Sequence, residues 1–148
     1  MHYKNKTILL VEDNESDIDL AKRALKKVEI EMEIVVARNG QEALDYMFGK
    51  GEFKGRDVSM MPDLVLLDLQ LPLINGTETL RRIRNDPRTR RQIVVVLTSS
   101  LEKIDLLNCY ELGVNSYIRK PVDFVLFADT LKCLNQYWLL INEPPPSL

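Results

Sequence analysis

The stretch DLVLLD, residues 63–68, is a short run of apolar residues closed by an acidic one. An apolar run without alternating polar residues is typical of a strand buried on both faces, as in a parallel sheet. Three further stretches have this character: TILLV (7–11), EIVVA (33–37) and QIVVVL (92–97). We therefore expect strands at these four places, and a short fifth strand over residues 115–118.

Amphipathic segments separate the strands. Apolar residues at steps of three and four predict a helix over residues 16–28, capped by Asn14 or Ser16. The same pattern predicts helices over residues 41–48, 77–85, 102–112 and 123–141. Strand and helix thus alternate five times, which predicts an α/β fold with a parallel sheet and helices on both faces.

Composition limits the class of protein. The chain has 148 residues, 45% of them hydrophobic, and a net charge of −2. These values indicate one folded domain with no overall attraction to nucleic acid or to anionic membrane. Cys109 and Cys133 are too few for a disulfide scaffold, and from the sequence of the first residues we expect neither a signal peptide nor a membrane span. We expect a cytoplasmic protein without a membrane or nucleic-acid partner.

Charged and hydroxyl side chains stand at the ends of the predicted strands. Glu12 and Asp13 follow the first strand, Asp68 the third, Thr98 the fourth and Lys120 the fifth. Ligands of open parallel sheets bind at this edge, so these side chains are candidates for one site. Three carboxylates placed together repel one another and drive at least one toward protonation unless a cation is present. An all-oxygen set of this kind suits Mg²⁺.

The same residues suit phosphoryl transfer. Asp68 can attack phosphorus as a nucleophile, Thr98 can donate a hydrogen bond to a phosphoryl oxygen, and Lys120 can neutralise another. Taken singly, the acids are also typical helix caps, Thr98 a turn residue and Lys120 a surface lysine. Their joint occurrence at the ends of one sheet favours the metal and phosphoryl site.

Four motifs carry a resemblance to a known family. VEDN (11–14), LLDLQLP (66–72) with Asn75-Gly76, VLTSS (96–100) and SYIRKP (116–121) resemble the receiver domain of two-component response regulators. The resemblance implies a doubly wound, flavodoxin-like sheet of order 2-1-3-4-5 with five helices, the last extended. It covers a core of about 6–134 within one receiver domain, 1–148, and leaves an extension and Pro-rich tail over 135–148. The long loop 49–62 and the aromatic extension are similar to single-domain regulators paired with cyanobacterial and bacterial phytochromes.

The resemblance also implies roles for single residues. Asp68 would be the phosphoacceptor and, with Asp13, would hold Mg²⁺ directly. Glu12 would bind Mg²⁺ through water, and the backbone carbonyl of Gln70 would complete the protein ligands. The side chains of Gln70 and Ser100 would tune phosphoryl hydrolysis.

A second group of residues would carry the response to phosphorylation. The resemblance implies that Thr98 is the switch hydroxyl, that Lys120 pairs with the phosphoryl group, and that Tyr117 turns inward on activation. Pro121 would follow a cis peptide bond.

The last predicted helix carries a stripe of apolar residues. Its 19 residues span roughly 28 Å, against about 17–20 Å for a strand of five or six residues, so residues 137–141 should project beyond the sheet. This segment either folds back onto the domain or forms a partner surface. We expect a homodimer through strand five and this helix, with an interface of Phe127, Leu131, Tyr137, Trp138 and Ile141.

These features predict a response regulator that takes a phosphoryl group from a sensor histidine kinase, with a bacteriophytochrome as one candidate. About 14 residues follow Leu134, too few for an output domain, so we expect signalling through protein contacts and a switch rather than a turnover enzyme. Two alternatives remain open. One is a docking scaffold that does not use phosphorylation. The other is a haloacid-dehalogenase-like phosphatase, whose second aspartate is Gln70 here.

Overall fold

Strands and helices alternate along the chain as the sequence pattern predicts. The computed structural model describes residues 5–27 and 30–146. Val28, the last residue of the first predicted helix, lies outside this range. The elements in chain order are β1 (Lys6–Val11), α1 (Glu15–Lys26), β2 (Met32–Ala37), α2 (Gly40–Phe48), a 3₁₀ turn (Gly51–Phe53), β3 (Leu64–Leu67), α3 (Gly76–Asn85), β4 (Val94–Thr98), α4 (Lys103–Glu111), β5 (Ser116–Arg119), α5 (Phe124–Asn135) and a π-helical segment (Gln136–Ile141).

The five strands form one parallel sheet in the order β2-β1-β3-β4-β5, which confirms the doubly wound, flavodoxin-like architecture. β1 pairs with β2 on one side and β3 on the other, and Val11 lies opposite Leu67. The chain therefore adds β2 on one side of β1 and the later strands on its other side, so the order of strands reverses between β1 and β3. This is the switch point at which ligands bind in such sheets.

Each face of the sheet packs against its own layer of helices. Leu9, Val65 and Val94 face one core, which α2, α3 and α4 cover. Ile8, Leu64 and Val95 face the other core, which α1 and α5 cover. Alternate residues of the central strands thus enter opposite cores, which explains why these strands are apolar without a break.

Side-chain caps set where several helices begin. Asn14 accepts a hydrogen bond from the backbone N–H of Asp17 at 3.0 Å and is the cap of α1. Asn75 accepts from Glu78 N–H at 2.9 Å in the same way at α3. Because α1 follows β1 and α3 follows β3 in the chain, both helices begin near the edge of the sheet that carries Asp13 and Asp68.

The C-terminal extension corrects part of the predicted interface. Phe127 is 3% exposed and Leu131 is fully buried, because both pack in the core under α1 and α5. They therefore do not belong to a partner surface. Leu139 is buried in the same core and Trp138 packs against it, so the π-helical segment folds back onto the domain. Tyr137 and Ile141 stay exposed, the latter by 68%.

One of the arginines between residues 81 and 91 has a structural role. Arg84 is half-buried and donates hydrogen bonds to the carbonyl oxygens of Gly113 and Gln92, at 2.9 and 2.8 Å. It also donates to Asn115 Oδ1 at 3.0 Å. Arg84 thus ties α3 to the segments that precede β4 and β5.

A membrane-spanning helix is absent from the described part of the chain, because none of its helices combines sufficient length with sufficient hydropathy.

Candidate functional site

The acidic residues predicted from the strand ends lie together at the carboxyl edge of the sheet. Glu12 and Asp13 follow β1 and Asp68 follows β3, its neighbour in the sheet. One carboxylate oxygen from each of the three lies within 4.8 Å of those of the other two. Glu12 and Asp68 are buried, while Asp13 is exposed. The cluster is therefore open to solvent on one side.

Lys120 connects these acids from the end of β5. Its backbone N–H donates to the carbonyl oxygen of Thr98 at 2.8 Å, which holds the residue beside β4. Its ammonium donates to Glu12 Oε2 at 2.6 Å and to Asp68 Oδ2 at 3.2 Å. A third bond, of 2.9 Å, joins it to Asp17 Oδ2 on α1. The sequence pattern did not predict Asp17 as a site residue, because it lies in the first turn of α1 and not at a strand end.

Burial and the neighbouring charges change the pKa values of Glu12 and Lys120. Burial raises the pKa of Glu12 to about 7, and the charge of Asp68 adds to this effect, although Lys120 opposes it. Burial lowers the pKa of Lys120, but its bond to Glu12 and the charges of Asp68 and Glu12 outweigh burial and hold it above its usual value. Lys120 is therefore charged near neutral pH. The raised pKa of Glu12 agrees in direction with the predicted repulsion among the acids, although burial is its larger cause.

Backbone contacts fix the position of Asp68. Its N–H donates to the carbonyl oxygen of Val11 at 3.0 Å, and its Oδ1 accepts from the N–H of Gln70 at 3.3 Å. A Cβ on Gly76 would lie 2.1 Å from the carbonyl oxygen of Asp68. Only a residue without a side chain lets α3 approach the Asp68 segment this closely.

A chain of polar contacts leads from Thr98 toward α4. Thr98 is fully buried, and its Oγ1 accepts from the N–H of Ser100 at 3.3 Å. The Ser100 hydroxyl donates to Asp105 on α4 at 2.5 Å. The Gln70 side chain instead accepts a long hydrogen bond, 3.4 Å, from the hydroxyl of Ser99.

Tyr117 already points into the domain. Its hydroxyl is buried without a hydrogen-bond partner among the described residues, and its ring packs against the core under α4. Burial raises its pKa. The side chain of Tyr117 therefore occupies the inner position in this structure.

The predicted cis bond before Pro121 is wrong. The described residues contain no cis peptide bond, so Lys120 and Pro121 are joined in trans. The trans form is the lower-energy isomer of an X–Pro bond, and with it Lys120 still reaches the acidic cluster.

The donor set fits a hard divalent cation. Glu12, Asp13 and Asp68 supply oxygen ligands only, and the exposed side of the cluster leaves room for further oxygen ligands such as water. A divalent ion would also offset the repulsion from Asp68, which adds to the effect of burial on the pKa of Glu12. The arrangement can thus hold a divalent cation beside a carboxylate and an ammonium group, which are the requirements of phosphoryl transfer.

Known proteins share this sequence pattern. The chain is 37% identical over 134 residues to response regulator Rcp1 of Synechocystis sp., covering 90% of this chain and 89% of Rcp1. It is 41% identical over 138 residues to the probable methanogenesis regulatory protein FilR2 of Methanothrix harundinacea, covering 93% of this chain and 86% of FilR2.

Solved structures share the fold. The phosphorylated cyanobacterial phytochrome response regulator RcpA superimposes with a TM-score of 0.90 at 38% identity, over 96% of this chain and 99% of RcpA. The Mn²⁺-bound form of Rcp1 superimposes with a TM-score of 0.88 at 35% identity, over 95% of this chain and 99% of Rcp1. These matches do not favour the phosphatase or the scaffold alternative. Residues 8–132 match the family model of the response regulator receiver domain, and the chain belongs to that family.

Proposed function

We propose that the chain accepts a phosphoryl group on Asp68 from the phosphohistidine of a sensor histidine kinase, with Mg²⁺ bound. The observation that carries this proposal is the position of Asp68: its carboxylate lies within 4.8 Å of Glu12 and Asp13 and 3.2 Å from the ammonium of Lys120. A nucleophile, a cation site and a fixed positive charge thus converge on one point.

The transfer step needs no proton from this chain. An oxygen of Asp68 uses one of its electron pairs to form a bond to phosphorus. The P–N bond of the phosphohistidine breaks at the same time, and the histidine nitrogen keeps the electron pair of that bond. Lys120 offers its positive charge to the phosphoryl oxygens, and the Thr98 hydroxyl donates a hydrogen bond to one of them. Hydrolysis later breaks the P–O bond by attack of water on phosphorus, which releases phosphate and restores the carboxylate.

Mg²⁺ would be held directly by Asp13, Asp68 and the backbone carbonyl of Gln70, and through water by Glu12. When bound, the ion supplies positive charge to the phosphoryl oxygens. We favour Mg²⁺ because the donor set is hard and all-oxygen. Mg²⁺ typically binds a few protein carboxylates and completes its coordination with water and substrate phosphate oxygens.

We propose that Thr98 carries the change from Asp68 to α4. A Thr98 hydroxyl that turns to the phosphoryl group gives up its contact with the N–H of Ser100, whose own hydroxyl binds Asp105 on α4. Tyr117 lies under the same helix. Phosphorylation would thus bias the position of α4 and the surface that it forms with β5 and α5.

The proposed donor is a kinase of the phytochrome type in the cytoplasm. RcpA and Rcp1 support this choice, because the name of RcpA describes it as a phytochrome response regulator and both match this chain over nearly its whole length. The proposed receiver core is residues 6–134, with the extension and tail over 135–148, and the proposed output is contact with other proteins.

We also propose that the chain forms a homodimer through β5 and the C-terminal extension. An apolar groove of about 450 Å³ lies there, and its lining includes Ile118, Leu126 and Tyr137. Leu126, Tyr137 and Ile141 are exposed beside it. Because Phe127 and Leu131 are buried in the core, these exposed residues supply the contact surface instead.

Intact mass spectrometry tests the proposed chemistry. Incubation with acetyl phosphate and Mg²⁺ should add one phosphoryl group, and the Asp68→Asn variant should add none. Asp63→Asn is the matched control, since Asp63 is an exposed acid at the opposite end of β3. No adduct on the folded, Mg²⁺-saturated protein, even with a phosphorylated kinase, would overturn the proposal and favour the scaffold.

A further inference from the structure

Asp17 contacts the site although it does not stand at a strand end. It lies in the first turn of α1, where its backbone N–H donates a hydrogen bond to the side chain of the cap Asn14. Its Oδ2 accepts a hydrogen bond from Lys120 at 2.9 Å, shorter than the 3.2 Å between Lys120 and Asp68. The Asp17 side chain is 33% exposed, so burial does not force it to have this partner.

Three acceptors match the three N–H groups of Lys120. Glu12 and Asp17 accept two of them, from the end of β1 and from α1, at 2.6 and 2.9 Å. An ammonium group carries three hydrogens in a fixed tetrahedral arrangement. Two held hydrogens therefore fix the direction of the third, which points to Asp68.

The Lys120 side chain has space to move if its hydrogen bonds to Glu12 and Asp17 are lost. A cavity of about 230 Å³ lies beside it, and its lining includes Asp17, Ser99 and Phe124. A lysine has a flexible four-carbon stem, so a neighbouring cavity admits other rotamers of its side chain. Asp17, which lines that cavity and accepts a hydrogen bond from Lys120, keeps the ammonium group beside Asp68.

We propose that Asp17 is a positioning residue for phosphoryl acceptance: it holds the ammonium of Lys120 so that one N–H faces Asp68 and the incoming phosphoryl group. The inference rests on the proposed role of Asp68 as phosphoacceptor. During transfer the third N–H passes from the Asp68 carboxylate to a phosphoryl oxygen, while Glu12 and Asp17 retain the other two.

The test compares three variants in the full chain. Asp17→Ala removes the acceptor, Asp17→Asn keeps an acceptor oxygen without the charge, and Asp19→Asn is the matched control. Asp19 is an exposed acid on the same helix, and its removal changes the net charge equally. The measurements are the rate of phosphorylation by acetyl phosphate with Mg²⁺, the affinity for beryllofluoride, and hydrogen exchange at the Lys120 ammonium by NMR in metal-free protein.

We expect Asp17→Ala to lower the maximal phosphorylation rate and the beryllofluoride affinity about tenfold, the effect of one hydrogen bond to a charged group. Exchange at the Lys120 ammonium should become faster in this variant. Asp17→Asn should recover most of both losses, and Asp19→Asn should match the original chain. Thermal unfolding of each variant identifies any loss of fold.

Three results would overturn the inference. These are an Asp17→Ala variant with unchanged rate, affinity and ammonium exchange, an Asp19→Asn variant with equal losses, or losses in Asp17→Ala that follow only from unfolding. Failure of the underlying proposal is distinguishable, because the original chain would then show neither a phosphoryl adduct nor beryllofluoride binding.

Discussion

Glu12 is a buried carboxylate held among other acids. Its pKa is raised from 4.5 to about 7, mainly by burial, so the folded protein binds a proton there more tightly than the unfolded chain does. A raised folded-state pKa gives stability below pH 4.5, and this stability is lost as the pH rises through 7. In the metal-free protein, the ionised side chain of Glu12 therefore opposes folding above neutral pH.

The variant Glu12→Gln should be more stable than the original chain in EDTA at pH 8, by about 1–3 kcal/mol. The difference should shrink to nothing as the pH falls toward 4.5, the value for the unfolded chain. Urea unfolding across this pH range measures it. Glu15→Gln, at an exposed acid paired with Arg38, should show no gain. A Glu12→Gln variant less stable at pH 8 would mean that the bond to Lys120 outweighs burial.

The main site residues were predictable because strand ends share one edge of a parallel sheet. Asp68, Thr98 and Lys120 each follow or close an apolar run, so their proximity follows from topology alone. Asp17 was not predictable in this way, since an acid in the first turn of a helix ordinarily complements the helix dipole. Its contact with Lys120 depends on the angle at which α1 packs, which residue spacing does not specify.

At the scale of elements, α3 lies unusually close to the segment that carries Asp68. Gly76 begins this helix, and an added Cβ would lie 2.1 Å from Asp68 O and 2.6 Å from Leu69 Cα. Both neighbours are backbone atoms, so neither can turn aside as a side chain would. The start of α3 therefore sets the position of the acceptor loop.

The substitution Gly76→Ala should lower the free energy of unfolding by about 1–3 kcal/mol, the cost of overpacking a tight contact. It should also slow the phosphorylation of Asp68, because the loop must move away from α3. Urea unfolding and the rate of adduct formation measure the two effects. Unchanged stability and rate would show that α3 can retreat without moving Asp68.

The length of the C-terminal extension was predictable from the sequence, but its packing was not. The stripe over residues 123–141 predicted one helix longer than the sheet, and the described chain is helical to Ile141. The apolar stripe did not predict which of its residues would be buried in the core. Phe127, Leu131 and Leu139 pack in the core that α1 and α5 cover, and Leu139 belongs to the π-helical segment that begins after Asn135.

For the whole molecule, the exposed apolar residues at β5 and the extension predict self-association. Ile141→Glu should weaken the homodimer at least tenfold, since a buried interface charge without a partner is strongly unfavourable. Met60→Glu is the control, because Met60 is 70% exposed in the loop between α2 and β3, and its neighbour Met61 packs on the face of the sheet opposite to the extension. Sedimentation equilibrium measures both. A monomeric original chain, or equal effects of the two changes, would contradict the proposed dimer.

Phosphoryl transfer to Asp68 is tested by locating the phosphoryl group on the chain. Borohydride reduces an acyl phosphate of aspartate to homoserine, which peptide mass spectrometry assigns to one position. After treatment with acetyl phosphate and Mg²⁺, we expect homoserine at position 68, between Leu67 and Leu69. Homoserine at Asp13 or at another acid, or none on the folded protein, would contradict it.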